Sequence, residues 1–131
     1  MLRGQCYCGA VELEIEDAFE YAFYCHCSRC RRRTGAACAA IGGIVLDKVR
    51  VASGGEHLHR LGSDADGSTA LCSRCWSRLY DVPKGSARAH VPLGILSQAP
   101  TRRPDHHIQV ASKAPWYPIT DDLPQYPEFP G

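Results

Sequence analysis

Hydrophobic and polar residues alternate strictly near the start of the chain. Val11, Leu13 and Ile15 would share one face of an extended segment, and the glutamates between them would share the other. Period-two alternation over 10–16 predicts a strand with one buried face. The aromatic-rich segment 20–25 follows, and we predict a second strand there that runs into a cluster of cysteines.

The pattern changes after this second strand. Segment 28–34 is polar and basic and is followed by Gly35, which predicts a single helical turn with a glycine C-cap. The run 36–46 consists of small and apolar residues. Because Gly42 and Gly43 interrupt it, we predict a buried strand with a bulge or a kink.

The second half of the chain predicts short strands separated by turns. Residues 53–55 (Ser-Gly-Gly) and 64–67 (Asp-Ala-Asp-Gly) carry turn residues, and the second of these indicates a hairpin. Short strands about ten residues apart are typical of an antiparallel all-β domain. The predicted strands are 57–61, 68–72, 78–82, 89–93 and 107–110.

The C-terminal segment is rich in proline and aromatic residues. Such a proline density excludes a central strand or a long helix. We expect residues 112–131 to pack across the body as an ordered loop, and residues 1–131 to form a single domain. The prolines lie at 115, 118, 124, 127 and 130, and the aromatic residues are Trp116, Tyr117, Tyr126 and Phe129.

Composition narrows the classes of function. The chain is 44% hydrophobic and carries a net charge of +1, so it reads as an ordinary globular protein with no electrostatic reason to bind nucleic acid. It shows no apolar leader and no run of about 18 apolar residues, so we expect no membrane association and a cytoplasmic location. Thiols stay reduced there, and eight cysteines then indicate metal ligands or catalytic groups rather than disulfides.

Seven of the eight cysteines fall in three short motifs. In a tetrahedral zinc–thiolate site, Zn–S distances of about 2.3 Å place neighbouring sulfurs roughly 3.7 Å apart. A Cys-x-Cys pair can meet that separation from an extended segment, and a Cys-x-x-Cys pair can meet it from a tight turn. The motifs are Cys6-x-Cys8, Cys25-x-Cys27-x-x-Cys30 and Cys72-x-x-Cys75.

The number of thiols favours two different sites. The first and third motifs together supply four thiols, enough for a closed structural zinc site. The middle motif supplies three, which would leave a fourth position for water, substrate or thiol, as in catalytic zinc sites. Spacing alone leaves the grouping open, because Cys6 and Cys8 could instead join the middle motif. A single zinc with the other thiols inert, or disulfides strained by bridging near neighbours, are less favoured alternatives.

The remaining cysteine and the histidines are assigned other roles. Cys38 lies in an apolar run and is predicted to be a small buried hydrophobe. His26 alternates to the face opposite its neighbouring cysteines, so we do not expect it to bind the same metal. We favour a polar strand face for His57 and His59, and surface or hydrogen-bonded positions for His90, His106 and His107.

These motifs together resemble the glutathione-dependent formaldehyde-activating enzyme family, which also includes centromere protein V-like domains. The resemblance runs through nearly the whole chain, with three cysteine motifs in the right order. It is carried by the segments Gly4–Val11, Cys25–Arg31, Gly35, Ser53-Gly54, Cys72–Cys75, Ser112–Tyr117 and Asp122–Tyr126.

The resemblance implies a fold, two metals and an activity. The implied fold is Mss4-like (β-tent): antiparallel sheets bound together by zinc, with a short helical turn. The implied activity joins formaldehyde and glutathione into S-hydroxymethylglutathione, and it is classed as a carbon–sulfur lyase for the reverse direction. The implied ligands are Cys6, Cys8, Cys72 and Cys75 for a structural zinc, and Cys25, Cys27 and Cys30 for a second, catalytic zinc near a glutathione site.

The chain departs from the family pattern at one position. The family usually has glycine directly after its last cysteine, where this chain has Trp76. If that backbone is left-handed, a non-glycine residue costs about 1–2 kcal/mol. A structural zinc contributes roughly 10 kcal/mol or more, so the metal site would tolerate this cost.

Three functional hypotheses follow. The first is an enzyme that uses small-molecule thiol and aldehyde, with glutathione as co-substrate and Arg31, Arg32 and Arg33 meeting its carboxylates. No general acid or base can be named. The second is a non-catalytic zinc module that binds another macromolecule through the basic run and the tail aromatics. The third is redox or metal handling by the three-cysteine motif.

Overall fold

The chain folds into two β-sheets with one short helix, as described by a computed structural model of residues 1–131. Four 3₁₀ turns cover Leu46–Lys48, Gly55–His57, Leu93–Ile95 and Val110–Ser112. None of its helices has the length and hydrophobicity that spanning a membrane requires. The strands are β1 Leu2–Gln5, β2 Glu12–Ile15, β3 Tyr21–Cys25, β4 Ala39–Val45, β5 Val49–Ser53, β6 Leu58–Ser63, β7 Gly67–Cys72, β8 Arg78–Val82, β9 Arg88–Pro92 and β10 His107–Ile108; helix α1 is Ser28–Thr34.

The two sheets are of unequal size. The smaller has the strand order β1-β2-β5, and the larger has the order β10-β3-β4-β9-β8-β7-β6. All pairs are antiparallel except β10 with β3, which is parallel. The predicted fold class, an all-β protein with antiparallel sheets and a short helical turn, is confirmed.

Most predicted strands are present, with shifted ends. The strand predicted at 78–82 matches β8 at both ends, whereas 10–16 shortens to Glu12–Ile15. The strand predicted at 107–110 stops at Ile108, because Gln109 adopts a left-handed conformation with φ of 56°. Strands β1 and β5 were not predicted. Each is stabilised by pairing with β2, which local sequence patterns do not show.

The two glycines of β4 do not produce the predicted bulge. The strand pairs with β3 and β9 without any shift in register. Aromatic rings occupy the space that side chains would fill: a Cβ on Gly42 would lie 2.6 Å from Cδ1 of Phe19, and one on Gly43 would lie 2.1 Å from Cζ of Tyr21. The glycines therefore admit rings against the sheet rather than bending the strand.

The hydrophobic core lies between the two sheets. Val11, Leu13 and Ile15, the apolar face predicted from alternation, are fully buried there. Burial of each Leu or Ile side chain contributes about 1.5–3 kcal/mol. Cys6 and Cys72 belong to the same buried cluster, so a site built on these thiols lies at the edge of the core.

The C-terminal segment lies alongside β10, with Gln125 in a parallel bridge to His107. The N–H of His107 donates to the carbonyl of Pro124, and the N–H of Tyr126 donates to the carbonyl of His107, both at 2.9 Å. The N–H of Gln109 donates to the carbonyl of Glu128 at 2.8 Å. These bonds attach the segment to β10 at the edge of the larger sheet, and β10 separates the segment from β3.

Candidate metal centres and the adjoining groove

The four cysteines of the first and third motifs converge at the edge of the core. All four sulfurs lie within 4.8 Å of one another. The Sγ atoms of Cys6 and Cys8 are 3.7 Å apart, and those of Cys8 and Cys72 are 3.8 Å apart. These separations match the roughly 3.7 Å of a tetrahedral zinc–thiolate site. The fourth member of the cluster is Cys75, and we call the set the four-thiol cluster.

Two tight turns present these sulfurs. After Cys8 the chain turns at Gly9, whose φ is 78° and whose N–H donates to the carbonyl of Cys6 at 3.1 Å. After Cys75 it turns at Trp76, whose φ is 61° and whose N–H donates to the carbonyl of Cys72 at 2.7 Å. Trp76 therefore occupies a left-handed position that normally favours glycine.

Backbone and hydroxyl donors surround the sulfurs of this cluster. The N–H of Val11 donates to Sγ of Cys6 at 3.3 Å, and the N–H of Arg74 donates to Sγ of Cys72 at 3.4 Å. Burial opposes ionisation of Cys75, but hydrogen bonds from the hydroxyl and N–H of Ser77 lower its pKa to about 5. Donors of this kind stabilise thiolates, the form in which cysteine binds a metal.

Three further cysteines converge where β3 meets α1. Cys25 ends the strand, Cys27 is the N-cap of the helix, and Cys30 lies in its first turn, with its N–H donating to Sγ of Cys27 at 3.3 Å. The helix ends at Gly35 in a left-handed conformation, as predicted. All three sulfurs lie within 4.8 Å of one another, and we call this set the three-thiol cluster.

The thiols of this second cluster share a hydrogen bond. This bond, between Cys25 and Cys30, lowers the pKa of Cys25 and raises the pKa of Cys30. Cys38 belongs to neither cluster and is half-buried. No histidine joins either cluster.

His26 lies between two cysteines of the three-thiol cluster but points into the protein. Its side chain is fully buried, and Nε2 lies 2.8 Å from Nδ1 of His107, which is also buried. Nε2 of His107 lies 3.0 Å from both carboxylate oxygens of Asp121 in the C-terminal segment. The loop of the three-thiol cluster is thus joined through two imidazoles to the tail.

A groove of 1010 Å³ opens beside the three-thiol cluster. Its lining includes Cys25 and Cys30 but no cysteine of the four-thiol cluster. Its floor is one face of the larger sheet, and it combines apolar side chains with four basic ones. The apolar set includes Phe23, Ile41, Leu61, Leu71, Trp76 and Phe129, and the basic set is Arg29, Arg33, Arg78 and Lys84.

Only one of the three arginines considered from the sequence lines this groove. Arg33 does, whereas Arg31 and Arg32 are absent from its lining. Sequence reasoning did not assign a role to Arg29, although its motif was recognised, or to Arg78, which comes from a distant strand. The sequence around Arg78 gives no indication that this residue lies near Cys25 and Cys30.

An extra residue in β8 brings Arg78 into this groove. Leu79 has no partner in the register between β7 and β8, so Arg78 and Asp81 lie on the same face and form an ion pair. Asp81 also accepts a hydrogen bond from Thr69 at 2.7 Å and lies 3.5 Å from Arg33. This carboxylate holds two arginines in the groove.

The chain is similar to a known protein family, to a curated protein and to a solved structure. The model of the glutathione-dependent formaldehyde-activating enzyme family matches residues 1–112. A curated protein of Halomonas elongata, with the provisional name glutathione-dependent formaldehyde-activating enzyme, is 30% identical over 127 residues, covering 91% of this chain and 81% of that protein. A crystal structure of a Rhodobacter sphaeroides protein superposes with a TM-score of 0.60 at 30% identity, covering 74% of this chain and 89% of that one. The chain belongs to the glutathione-dependent formaldehyde-activating enzyme family.

Proposed function

We propose that this protein is a zinc-dependent enzyme of the carbon–sulfur lyase type, acting on adducts between glutathione and an aldehyde such as formaldehyde. One observation carries the proposal: a cluster of three thiols borders a large groove that also holds arginines. The four-thiol cluster contributes no cysteine to that groove. We therefore assign the chemistry to the three-thiol cluster and a structural role to the four-thiol cluster.

The donor sets fit zinc in both places. Cys6, Cys8, Cys72 and Cys75 would complete a tetrahedral site and hold a structural ion. Cys25, Cys27 and Cys30 would hold a second ion with a position left for a substrate sulfur. That ion would supply a stabilised thiolate, because a coordinating thiol loses its proton.

The groove residues would bind and orient the substrate. Arg29, Arg33 and Arg78 offer planar guanidinium groups for the carboxylates of glutathione. In the synthetic direction, the thiol of glutathione gives its proton to water and its sulfur forms a bond to the aldehyde carbon. The C=O π bond opens, and the resulting alkoxide oxygen takes a proton from water. Cleavage is the reverse, with the carbon–sulfur bond breaking and the hydroxyl proton returning to water. Positioning of the two reactants supplies the rate gain.

Two further expectations complete the proposal. Residues 1–131 act as one domain, with the tail part of the same unit. The protein works in the cytoplasm, where the seven clustered cysteines stay reduced and able to bind metal. A single cooperative unfolding transition of the zinc-loaded chain tests the first expectation. Fractionation of the cells that produce the protein tests the second.

The experiment follows exchange between glutathione, formaldehyde and their adduct, using ¹³C-labelled formaldehyde and NMR exchange spectroscopy. The zinc-loaded protein should raise the exchange rate above the spontaneous one. Cys30→Ser should return it to that rate, and Cys38→Ser, which removes a thiol outside both clusters, should leave it raised. A wild-type rate equal to the spontaneous one, without glutathione binding, would favour the non-catalytic zinc module instead.

A further inference from the structure

A row of residues crosses the larger sheet beneath the groove. Strand pairing places Tyr21 opposite Gly43, Gly43 opposite His90, and His90 opposite Asp81. The row continues from Asp81 to Thr69. Residues directly opposite each other point to the same face of a sheet, so these side chains all face the same way.

The central glycine allows two of these side chains to meet. Tyr21 and His90 lie on strands that are separated by β4, yet Oη of Tyr21 is 2.7 Å from Nε2 of His90. A Cβ on Gly43 would lie 2.1 Å from Cζ and 2.6 Å from Oη of Tyr21. The tyrosine reaches the histidine only because Gly43 carries no side chain.

His90 keeps one ring nitrogen for the groove. It is part of the groove lining, and Nε2 is occupied by Tyr21. Nδ1 makes no hydrogen bond within the protein, and it is accessible to solvent. The ring of Phe23 packs edge-on at 6.0 Å and fixes the orientation of the imidazole.

The charge states of the pair favour a donor at Nδ1. Burial raises the pKa of Tyr21 and lowers the pKa of His90, so both groups are neutral near pH 7. The tyrosine hydroxyl can then donate to Nε2, which leaves the imidazole proton on Nδ1. An N–H that faces a groove suits a carbonyl or carboxylate oxygen.

Distance separates this pair from the thiols. Tyr21 and Cys25 are four residues apart on β3, which is about 13 Å at roughly 3.3 Å per residue. A proton donor or acceptor must approach its target to within about 3 Å. The pair is therefore too far away to serve the reacting carbon. The sulfur of glutathione belongs to its central residue, and the γ-glutamyl arm carries a carboxylate oxygen about nine bonds from that sulfur. The extended arm spans roughly 10 Å, so glutathione with its sulfur at the cluster can approach the pair.

We propose that His90, held by Tyr21 over Gly43, is a subsite that binds a carbonyl or carboxylate oxygen at the end of a peptide thiol remote from its sulfur. This inference rests on the proposed function, and it assigns the enzyme's specificity for a peptide thiol to this subsite. A short thiol such as 2-mercaptoethanol cannot reach the subsite, so it would not benefit from it.

The test compares the two thiols in the zinc-loaded wild type and in His90→Phe, which keeps a ring against Phe23. For glutathione, KM should rise about tenfold with kcat unchanged, as expected for the loss of one hydrogen bond. For 2-mercaptoethanol, neither constant should change. Tyr21→Phe should shift the glutathione KM in the same direction. Tyr80→Phe, which removes a hydroxyl outside the groove lining, should have no effect.

Every outcome decides the inference. Equal losses with both thiols, or a fall in kcat alone, would overturn it, because recognition of a remote group cannot produce either result. If the wild type accelerates neither reaction, the proposed function fails. Calorimetry then tests the subsite by comparing the affinity for glutathione of the wild type and of His90→Phe. About tenfold weaker binding to His90→Phe would support it, and unchanged or undetectable glutathione binding would overturn it.

Discussion

Trp76 combines a left-handed backbone, with φ of 61°, and a large side chain beside the four-thiol cluster. Its ring lies 5.4 Å from that of His59, in an edge-to-face arrangement, and also lines the groove. The side chain therefore has contacts that glycine could not make, while the backbone would be less strained with glycine. Packing therefore favours tryptophan at this position, whereas local conformation favours glycine.

This conflict is testable by comparing two substitutions that both remove the indole. Trp76→Gly should be more stable than Trp76→Ala by roughly 1 kcal/mol, because only glycine adopts the left-handed conformation without strain. Urea unfolding of the zinc-loaded variants measures the difference. Equal stability, or a more stable alanine variant, would show that the turn relaxes away from its left-handed conformation.

The elements that carry the three-thiol cluster are held by a later part of the chain. Strand β10 pairs with β3 in parallel, and the N–H of His26 donates to the carbonyl of Ile108 at 3.1 Å. The side-chain series His26, His107 and Asp121 repeats this link with hydrogen bonds of 2.8 and 3.0 Å. Asp121 lies beyond residue 112, where the match to the family model ends.

We expect Asp121→Ala to loosen the loop between Cys25 and Cys27, because the buried imidazole of His107 loses its carboxylate partner. The affinity of the three-thiol cluster for Co²⁺ should fall about tenfold, at the low end of what losing such supporting contacts costs. The four-thiol cluster should be unaffected and serves as an internal reference. The neighbouring substitution Asp122→Ala is the matched control, and an equal effect there would contradict the assignment.

At the scale of the whole molecule, the two clusters differ in what they connect. The four-thiol cluster joins the start of the chain to β7, and two of its cysteines are buried in the core between the sheets. The three-thiol cluster is local in sequence, with Cys30 only half-buried at the groove. Loss of a ligand should therefore have different consequences in the two places.

We predict that Cys72→Ser unfolds the protein, whereas Cys30→Ser leaves it folded with one metal per chain instead of two. The first removes a ligand from the cluster that ties distant segments together, and structural zinc contributes roughly 10 kcal/mol or more to folding. Circular dichroism and metal analysis of both variants provide the measurement. Equal loss of fold in the two would reject the division into structural and open sites.

Local patterns in the sequence were sufficient for much of the fold. Alternation identified the buried face of Val11, Leu13 and Ile15, and Gly35 marked the end of α1, because period and capping act between near neighbours. Thiol spacing identified the three cysteine motifs, because Cys-x-Cys and Cys-x-x-Cys restrict where a pair of sulfurs can point, and the family resemblance supplied their grouping into two ligand sets. These features depend on a few consecutive residues.

The groove required contacts between residues far apart in the chain. Arg78 reached it through an extra residue in β8. His90 lies two strands from Tyr21 and gained this partner across Gly43 of the strand between them. Gly42 and Gly43 led to the prediction of a bulge or a kink, because the residues next to them in the sequence do not show that the rings of Phe19 and Tyr21 pack on them. Local periodicity specifies which side chains can share a face. Pairing between distant strands decides which of them become neighbours, and it is set by packing of the whole chain.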